Sequence, residues 1–334
     1  MIAALDDLLA SARVVRLPLR VPFRGVAERE ALVLRGPAGW GEWAPFVEYG
    51  PEEAARWLAA AVEAAWLGWP EAVRDRIPVN ATVPAVTAEE VPGVLARYDG
   101  CAAVKVKVAE RGQTLADDLA RVSAVRDVLG WRGADGSPAP SIRIDANGGW
   151  QLNEALAALA RLGRYGLEYV EQPCASVDDL AKLRVTMAKH EIDIPVAADE
   201  SIRKAGDPLR VAEAEAADLI VIKVAPLGGV RSALAIAEQV GLPAVVSSAL
   251  DTSVGISSGV ALAAALPELP FACGLATVEL LEADVCDPRL VPEGGVLPVR
   301  SATPSEDLLD RYAAPPERRD WWLARLREAY EHLS

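Results

Sequence analysis

Lys105 and Lys107 alternate with valines in Ala103-Val104-Lys105-Val106-Lys107-Val108, a run that reads as a β-strand. Alternate side chains of a strand share a face, so the lysines point one way and Val104, Val106 and Val108 the other, toward covering helices. Two ammoniums on one face of a buried strand are costly unless they are used. Burial disfavours the charged form of a lysine and a second ammonium pushes the same way, which is how a lysine becomes a base near neutral pH. The plainer reading is an edge strand whose lysines sit in water and discourage pairing with other chains.

Further strand-like runs also end in charged groups. They are Arg143-Ile144-Asp145-Ala146-Asn147, Val170-Glu171-Gln172-Pro173, Ala198-Asp199-Glu200-Ser201 and Ile222-Lys223-Val224. Asp145, Glu171 and Asp199 then come from three successive strands. Such oxygen ligands suit a hard divalent cation, and Mg2+ bound by few carboxylates keeps positions open for substrate oxygens. With no histidine or thiolate in the set, zinc is disfavoured. Each acid has a simpler reading: Asp145 caps the Asn147-Gly148-Gly149 turn, Asp199 or Ser201 caps the next helix, and Glu171 is a solvated loop acid. Taken together and flanked by lysines on either side, the three read as a proton-abstraction site.

The elements that must position these residues alternate. From about residue 78, strands at 79–83, 103–108, 141–145, 167–171, 195–199, 219–224, 244–248 and 271–275 are separated by amphipathic stretches such as Asn153 to Leu162, Pro208 to Ala216, and Val177 to Lys189 with Ser176 as N-cap. Eight strands with intervening helices predict an α/β fold of the parallel-barrel type, whose chemistry gathers at the C-terminal ends of the strands. Residues 1–77 read differently. Val14 to Leu19, Glu30 to Arg35 and Gly39 to Ala44 look like antiparallel strands, followed by a helix from Pro51 to about Trp66. The tail from Pro304, with Trp321 and Trp322, is amphipathic and expected to pack back on that unit. The expected division is a barrel over 78–303 and an α+β unit over 1–77 completed by 304–334.

Composition narrows the function. A chain of 334 residues, 51% hydrophobic and 25% charged, is an ordinary globular protein with a large core. Its net charge of -14 argues against nucleic acid or an anionic membrane as partner, since both require clustered Lys and Arg. The first residues carry Asp6 and Asp7 and do not read as a signal peptide, and no apolar run is long enough to span a bilayer. Cys101, Cys174, Cys273 and Cys286 lie far apart without C-x-x-C spacing, so a reducing cytoplasm is the expected location. The only histidines, His190 and His332, read as surface residues.

The ordered set Lys105-x-Lys107, Arg143 to Asn147, Glu171 to Pro173, Ala198 to Ser201 and Ile222-Lys223 resembles the muconate-lactonizing subgroup of the enolase superfamily over nearly the whole chain. The resemblance implies a (β/α)7β TIM-like barrel with an α+β capping domain formed by the N-terminal segment and the C-terminal tail. It implies that Asp145, Glu171 and Asp199 bind Mg2+, with Mn2+ as an alternative, and that the cation holds the carboxylate of a small-molecule substrate. Lys107 is then the base, Lys223 faces it across the substrate, and Lys105 lowers the proton affinity of Lys107. Asn147 and Glu200 support these groups, and Arg143 orients a carboxylate.

Within that family the chain lacks a late barrel histidine, as a mandelate-racemase-like base requires. It also reads Gly274-Leu275-Ala276-Thr277 where dipeptide epimerases carry an acidic D-x-D. Two activities stay open. One is the syn dehydration of 2-succinyl-6-hydroxy-2,4-cyclohexadiene-1-carboxylate, which the resemblance favours; the other is racemisation of N-succinylated amino acids by the same lysine pair. A degenerate barrel serving as a binding module is the non-enzymatic alternative. The loop Ser247 to Gly255 offers the Ser247 and Ser248 hydroxyls and backbone N–H groups to a succinyl carboxylate. Val21-Pro22-Phe23-Arg24-Gly25 resembles the family's closing loop, with Arg24 as a substrate contact.

Overall fold

The computed structural model describes residues 3–23, 26–132, 138–202 and 207–333, so the proposed contact Arg24 lies outside the described residues. The N-terminal part opens with helix α1 (Leu5–Ser11), then strands β1 (Arg13–Phe23), β2 (Val26–Gly36) and β3 (Gly39–Trp43), and then helix α2 (Pro51–Val62). The strands form one antiparallel sheet in the order β1-β2-β3. Both faces of this sheet are covered, which follows from its alternation. Leu32 and Leu34 pack with Trp43, Trp57 and Trp322, whereas Ala31 and Val33 pack with Leu250 and Val254. The helix predicted to run to Trp66 leaves α-geometry at Val62 and finishes in a π-helical turn over Glu63–Leu67.

Short strands and covering helices then alternate. β4 (Arg76–Pro78), β5 (Asn80–Val83) and α3 (Val91–Leu95) precede β6 (Ala103–Lys107) and α4 (Leu115–Leu129), then β7 (Ser141–Asp145), α5 (Leu152–Leu162), β8 (Leu167–Glu171) and α6 (Val177–Lys189). There follow β9 (Val196–Ala198), α7 (Asp207–Glu213), β10 (Leu219–Ile222), α8 (Val230–Val240), β11 (Ala244–Val246) and α9 (Ser253–Ala265). The strands from β5 to β11 form one parallel sheet in sequence order. Its outer face, including Val104 and Val106, packs against helix residues such as Leu119, Val122 and Val125. Inside, Tyr169, Ala197, Leu219, Val221 and Val245 form an apolar plug with Phe271. Ser176 caps α6 as expected, its side chain accepting from Asp179 N.

The eighth strand, expected over 271–275, is reduced to a seam. Cys273 bridges Val79 and Gly274 bridges Ser247, so this short segment joins both edges of the seven-stranded sheet and closes the barrel. Cys273 N donates to Pro78 O at 2.7 Å and Gly274 N to Val246 O at 2.8 Å. The seam is short for local reasons. Pro270 has no N–H to donate, and a Cβ on Gly274 would stand 2.5 Å from Ser247 Oγ, so a side chain there would meet the Ser247 hydroxyl.

After the barrel, β12 (Val296–Pro298) pairs with β4, and α10 (Glu306–Arg311) and α11 (Pro316–Glu331) return to the N-terminal sheet. Trp322 packs edge-on to Trp43 with ring centroids 5.4 Å apart and donates from Nε1 to Glu30 Oε2 at 2.9 Å. Two glutamates of the N-terminal unit dock it on the barrel by capping helix N-termini. Glu63 accepts from Val230 N and Arg231 N of α8, and Glu42 accepts from Thr252 N and Gly255 N at the start of α9. Among the described residues, no helix is long and apolar enough to cross a membrane.

Candidate active site

Strand register aligns the charged residues in two layers. Lys107 pairs in register with Asp145 and Asp145 with Glu171, while two residues earlier Lys105 pairs with Arg143 and Arg143 with Tyr169. Lys107 Nζ donates to Asp145 Oδ2 at 2.5 Å and to Asn147 Oδ1 at 2.7 Å. Lys105 Nζ reaches Glu171 at 3.0 and 3.1 Å, and Lys223 Nζ donates to Asp199 Oδ2. The three lysines and the three acids are at most about one-tenth exposed.

Burial pulls against every charge in this cluster, and the neighbours decide the outcome. Burial opposes ionisation of Asp145, yet the Lys107 and Lys105 ammoniums hold its carboxyl well below the ordinary carboxylate range. Burial, reinforced by the Asp145 and Asp199 carboxylates, pushes Glu171 up to about 7 in spite of Lys105. Lys105 is desolvated too, but Glu171 and Asp145 hold it well above its ordinary value, so it stays charged.

Local turns hold the acids in place. Asn147 N donates to Asp145 Oδ1 at 3.0 Å, so Asp145 does cap its own turn while it also meets the lysines. Asn147, at φ +46°, passes the contact on from Nδ2 to Glu200 Oε1 at 3.1 Å. Gln172 has a role its place in the Glu171-Gln172-Pro173 motif does not reveal. It sits at φ +40°, accepts from Asp199 N at 2.9 Å and donates to Ser201 Oγ at 2.7 Å, tying the end of β8 to the segment that carries Asp199.

Lys105, Lys107, Asp145, Asn147, Lys223, Ser247 and Ser248 line one pocket. Glu171 and Asp199 lie behind its wall, essentially inaccessible. Among the described residues, no three acid, histidine or cysteine side chains stand close enough to enclose a metal ion. Each of the three carboxylates is instead engaged by a lysine. The donor set still fits a hard divalent cation: it is oxygen only, it comes from three adjacent strand ends, and its mutual repulsion adds to the burial that lifts Glu171.

Two expectations need correction. Arg143, expected to orient a substrate carboxylate, lies in the lower layer. Its guanidinium donates to Glu168, to Asn80 Oδ1 at 3.1 Å and to Ala272 O at 2.6 Å, and stacks over Tyr169 at 4.9 Å. Register places it two residues below Asp145, where the barrel interior is filled. Of the backbone N–H groups of the 247–255 loop, expected to receive a succinyl carboxylate, those of Ala249, Thr252, Ser253 and Gly255 are spent within the protein. Ala249 N donates to Asp251, Ser253 N to Asp284, and Thr252 N and Gly255 N to Glu42.

Thr82, Phe46, Leu250 and Thr277 also line the pocket; Leu250 and Thr277 lie in the two stretches singled out above, whereas Thr82 was not anticipated. Thr82 was within reach of sequence reasoning, since alternation along 79–83 puts it on the face of its register partner Lys105. Thr277 Oγ1 lies 2.7 Å from Ser248 Oγ and gives this corner hydroxyls where an acidic pair would bind an ammonium. His190 and His332 are exposed at the ends of α6 and α11.

Residues 14–65 match the enolase N-terminal domain-like family and residues 88–304 the enolase C-terminal domain-like family. The chain is 57% identical to an o-succinylbenzoate synthase of Thermobifida fusca, covering 97% of this chain and 98% of that one. It is 56% identical to an o-succinylbenzoate synthase of Mycolicibacterium smegmatis, covering 97% of each. Among solved structures it resembles muconate lactonizing enzyme from Pseudomonas putida with a TM-score of 0.72 at 22% identity, covering 91% of this chain and 98% of that one. The L-Ala-D/L-Glu epimerase from Bacillus subtilis aligns with a TM-score of 0.71 at 24% identity, over 88% of this chain and 96% of that one.

Proposed function

The chain belongs to the enolase superfamily, and from that premise we propose that it acts as an o-succinylbenzoate synthase, a lyase of menaquinone biosynthesis. It dehydrates 2-succinyl-6-hydroxy-2,4-cyclohexadiene-1-carboxylate to 2-succinylbenzoate. The observation that carries the chemistry is the placement of Lys107 and Lys223 in one pocket, at the ends of β6 and β10. Four strand steps separate them, half the circuit of an eight-stranded barrel, so they approach a substrate from opposite sides.

Members of this superfamily generally use a divalent metal, and we take it here to be Mg2+, with Mn2+ as an alternative, held by Asp145, Glu171 and Asp199. When bound it supplies positive charge against the substrate carboxylate and the enediolate that proton removal creates. Lys107 takes the α-proton on its Nζ, and the C–H electron pair moves into the carboxylate. Lys223, as an ammonium, faces the developing negative charge from the other side. The enediolate then collapses, the C–O bond breaks, and Lys107 returns its proton to the departing hydroxide as water, leaving the aromatic ring. Asn147 holds Lys107 through its amide oxygen, and Lys105 keeps a fixed positive charge beside it.

The test is direct. With Mg2+, the protein is expected to aromatise the cyclohexadiene carboxylate, followed by ultraviolet absorbance, and to stop when chelator is added. Racemisation of N-succinylated amino acids without aromatisation would overturn the substrate assignment. Indifference to chelator would favour a binding module.

Three further readings belong to the same proposal. The barrel comprises residues 78–303 and the capping unit residues 1–77 with 304–334, supported by the return of α11 to the N-terminal sheet. The location is cytoplasmic, in keeping with four free, buried cysteines. The partner is a small carboxylate and not nucleic acid or an anionic membrane, in keeping with the net charge of -14.

A further inference from the structure

The capping sheet grips the barrel at one segment with two side chains of opposite hydrogen-bonding character, a donor and an acceptor. Arg29 on β2 and Glu42 on β3 both face the barrel: Arg29 is the register partner of the barrel-side residue Leu17, and Glu42 that of Val33. Arg29 Nε donates to Leu250 O at 3.1 Å and Nη2 to Ala249 O at 3.4 Å, while Nη2 also donates to Ala44 O within its own unit. Glu42 accepts from Thr252 N and Gly255 N, each at 3.1 Å, and from Thr252 Oγ1. The guanidinium thus takes carbonyls at one end of the segment and the Glu42 carboxyl takes amides at the other. Leu250, whose carbonyl Arg29 holds, sits at φ +66°, a conformation uncommon for a residue with a side chain.

This segment is also a wall of the pocket that contains Lys107 and Lys223, through Ser248, Ala249 and Leu250. The guanidinium that fixes it stacks at 4.7 Å on Phe46, which lines the same pocket from the capping unit. One side chain therefore sets the spacing between a wall from the barrel and a wall from the cap. The fit at the other grip is close: a Cβ on Gly255 would stand 2.7 Å from Asp251 Cβ and 3.0 Å from the Glu42 carboxyl carbon.

We infer that Arg29 and Glu42 are positioning residues that shape the substrate pocket by clamping the 249–255 segment, so that the capping unit sets substrate affinity without touching the reacting atoms. The inference rests on reading this pocket as the reacting site. The experiment uses the full chain with Mg2+ and the variants Arg29→Met, Arg29→Lys and Glu42→Gln. It measures KM and kcat on the cyclohexadiene carboxylate, the Kd of 2-succinylbenzoate by calorimetry, and amide hydrogen exchange across 247–255.

Loss of the guanidinium contacts in Arg29→Met, and replacement of an acceptor oxygen by an NH2 group in Glu42→Gln, predict KM and product Kd raised about tenfold. kcat per folded molecule stays within about threefold, and exchange is faster at 249–255. Arg29→Lys, which keeps the cation, recovers part of the affinity and carries the test should Arg29→Met not fold. A purely structural role would lower the melting temperature and leave KM and product Kd within about twofold of the wild type; that result, or unchanged exchange at 249–255, overturns the clamp. A wild-type protein that does not aromatise the diene would overturn the reading of the site instead.

Discussion

Lys105 and Lys107 meet at a single atom: Asp145 Oδ2 lies 3.5 Å from Lys105 Nζ and 2.5 Å from Lys107 Nζ. Lys105 reaches past Asp145 to Glu171, two strands away, and so binds three strand ends into one cluster. Within it, Lys105, Lys107 and Lys223 face the three carboxylates, and removing Lys105 takes from buried Glu171 the lysine it is bonded to.

Lys105→Met keeps most of the apolar stem and removes the ammonium with its bonds to Glu171. Breaking a buried pair from one side costs about 3–5 kcal/mol, and the loss should appear as a lower urea midpoint in chelator. Mg2+ should restore more stability to Lys105→Met than to the wild type, because the cation supplies the missing positive charge. Equal midpoints in chelator would contradict the pairing of Lys105 with Glu171.

Lys107→Ala should lower turnover by about a thousandfold, the range of a lost general base, while the circular dichroism spectrum and melting temperature stay close to those of the wild type. Asp145 keeps a cation in that variant through Lys105. Undiminished turnover would remove Lys107 from the reaction.

Arg143→Met separates a structural arginine from a substrate-binding one. Its partners Glu168, Asn80 and Ala272 belong to the lower barrel, so stability should fall by about 3 kcal/mol and KM per folded molecule should stay unchanged. A raised KM at constant stability would return Arg143 to the substrate.

Stability should also depend on pH through Glu42. Burial, with the nearby Asp251 carboxylate as second cause, raises it from 4.5 to about 8, against the opposing Thr252 and Arg29 contacts. Asp251 is raised as well, chiefly by burial, with Arg29 and Lys223 opposing. Between about pH 4.5 and about pH 8 the folded protein therefore binds more protons than the unfolded chain, and its stability falls as pH rises through this window. The contribution is fully present below the lower limit. Urea midpoints measured across the window should decline in the wild type and decline less in Glu42→Gln; parallel slopes would contradict the shift.

The catalytic lysines and the three acids are legible because each sits in a local motif at a strand end, where period-two alternation fixes the face. Alternation does not fix depth. Arg143 shares the face of Asp145, and only the third dimension shows that its layer is filled by Glu168, Asn80 and Tyr169. The Arg29 and Glu42 contacts are hidden for another reason: they reach 221 and 213 residues along the chain and leave no spacing to read. The eighth strand was legible as an apolar run, but its length depended on how closely Gly274 passes Ser247.

The seam at Cys273 and Gly274 bears on how the protein is made. Because it joins Val79 to Cys273 and Ser247 to Gly274, the sheet cannot become a closed ring until residues 271–275 have been synthesised. Until then the growing chain carries an open sheet with unpaired backbone groups on β5 and β11, a surface prone to pairing with other chains. Ring closure spans almost the whole barrel and so comes late among folding events. Nascent chains halted before Cys273 are the form most in need of a chaperone.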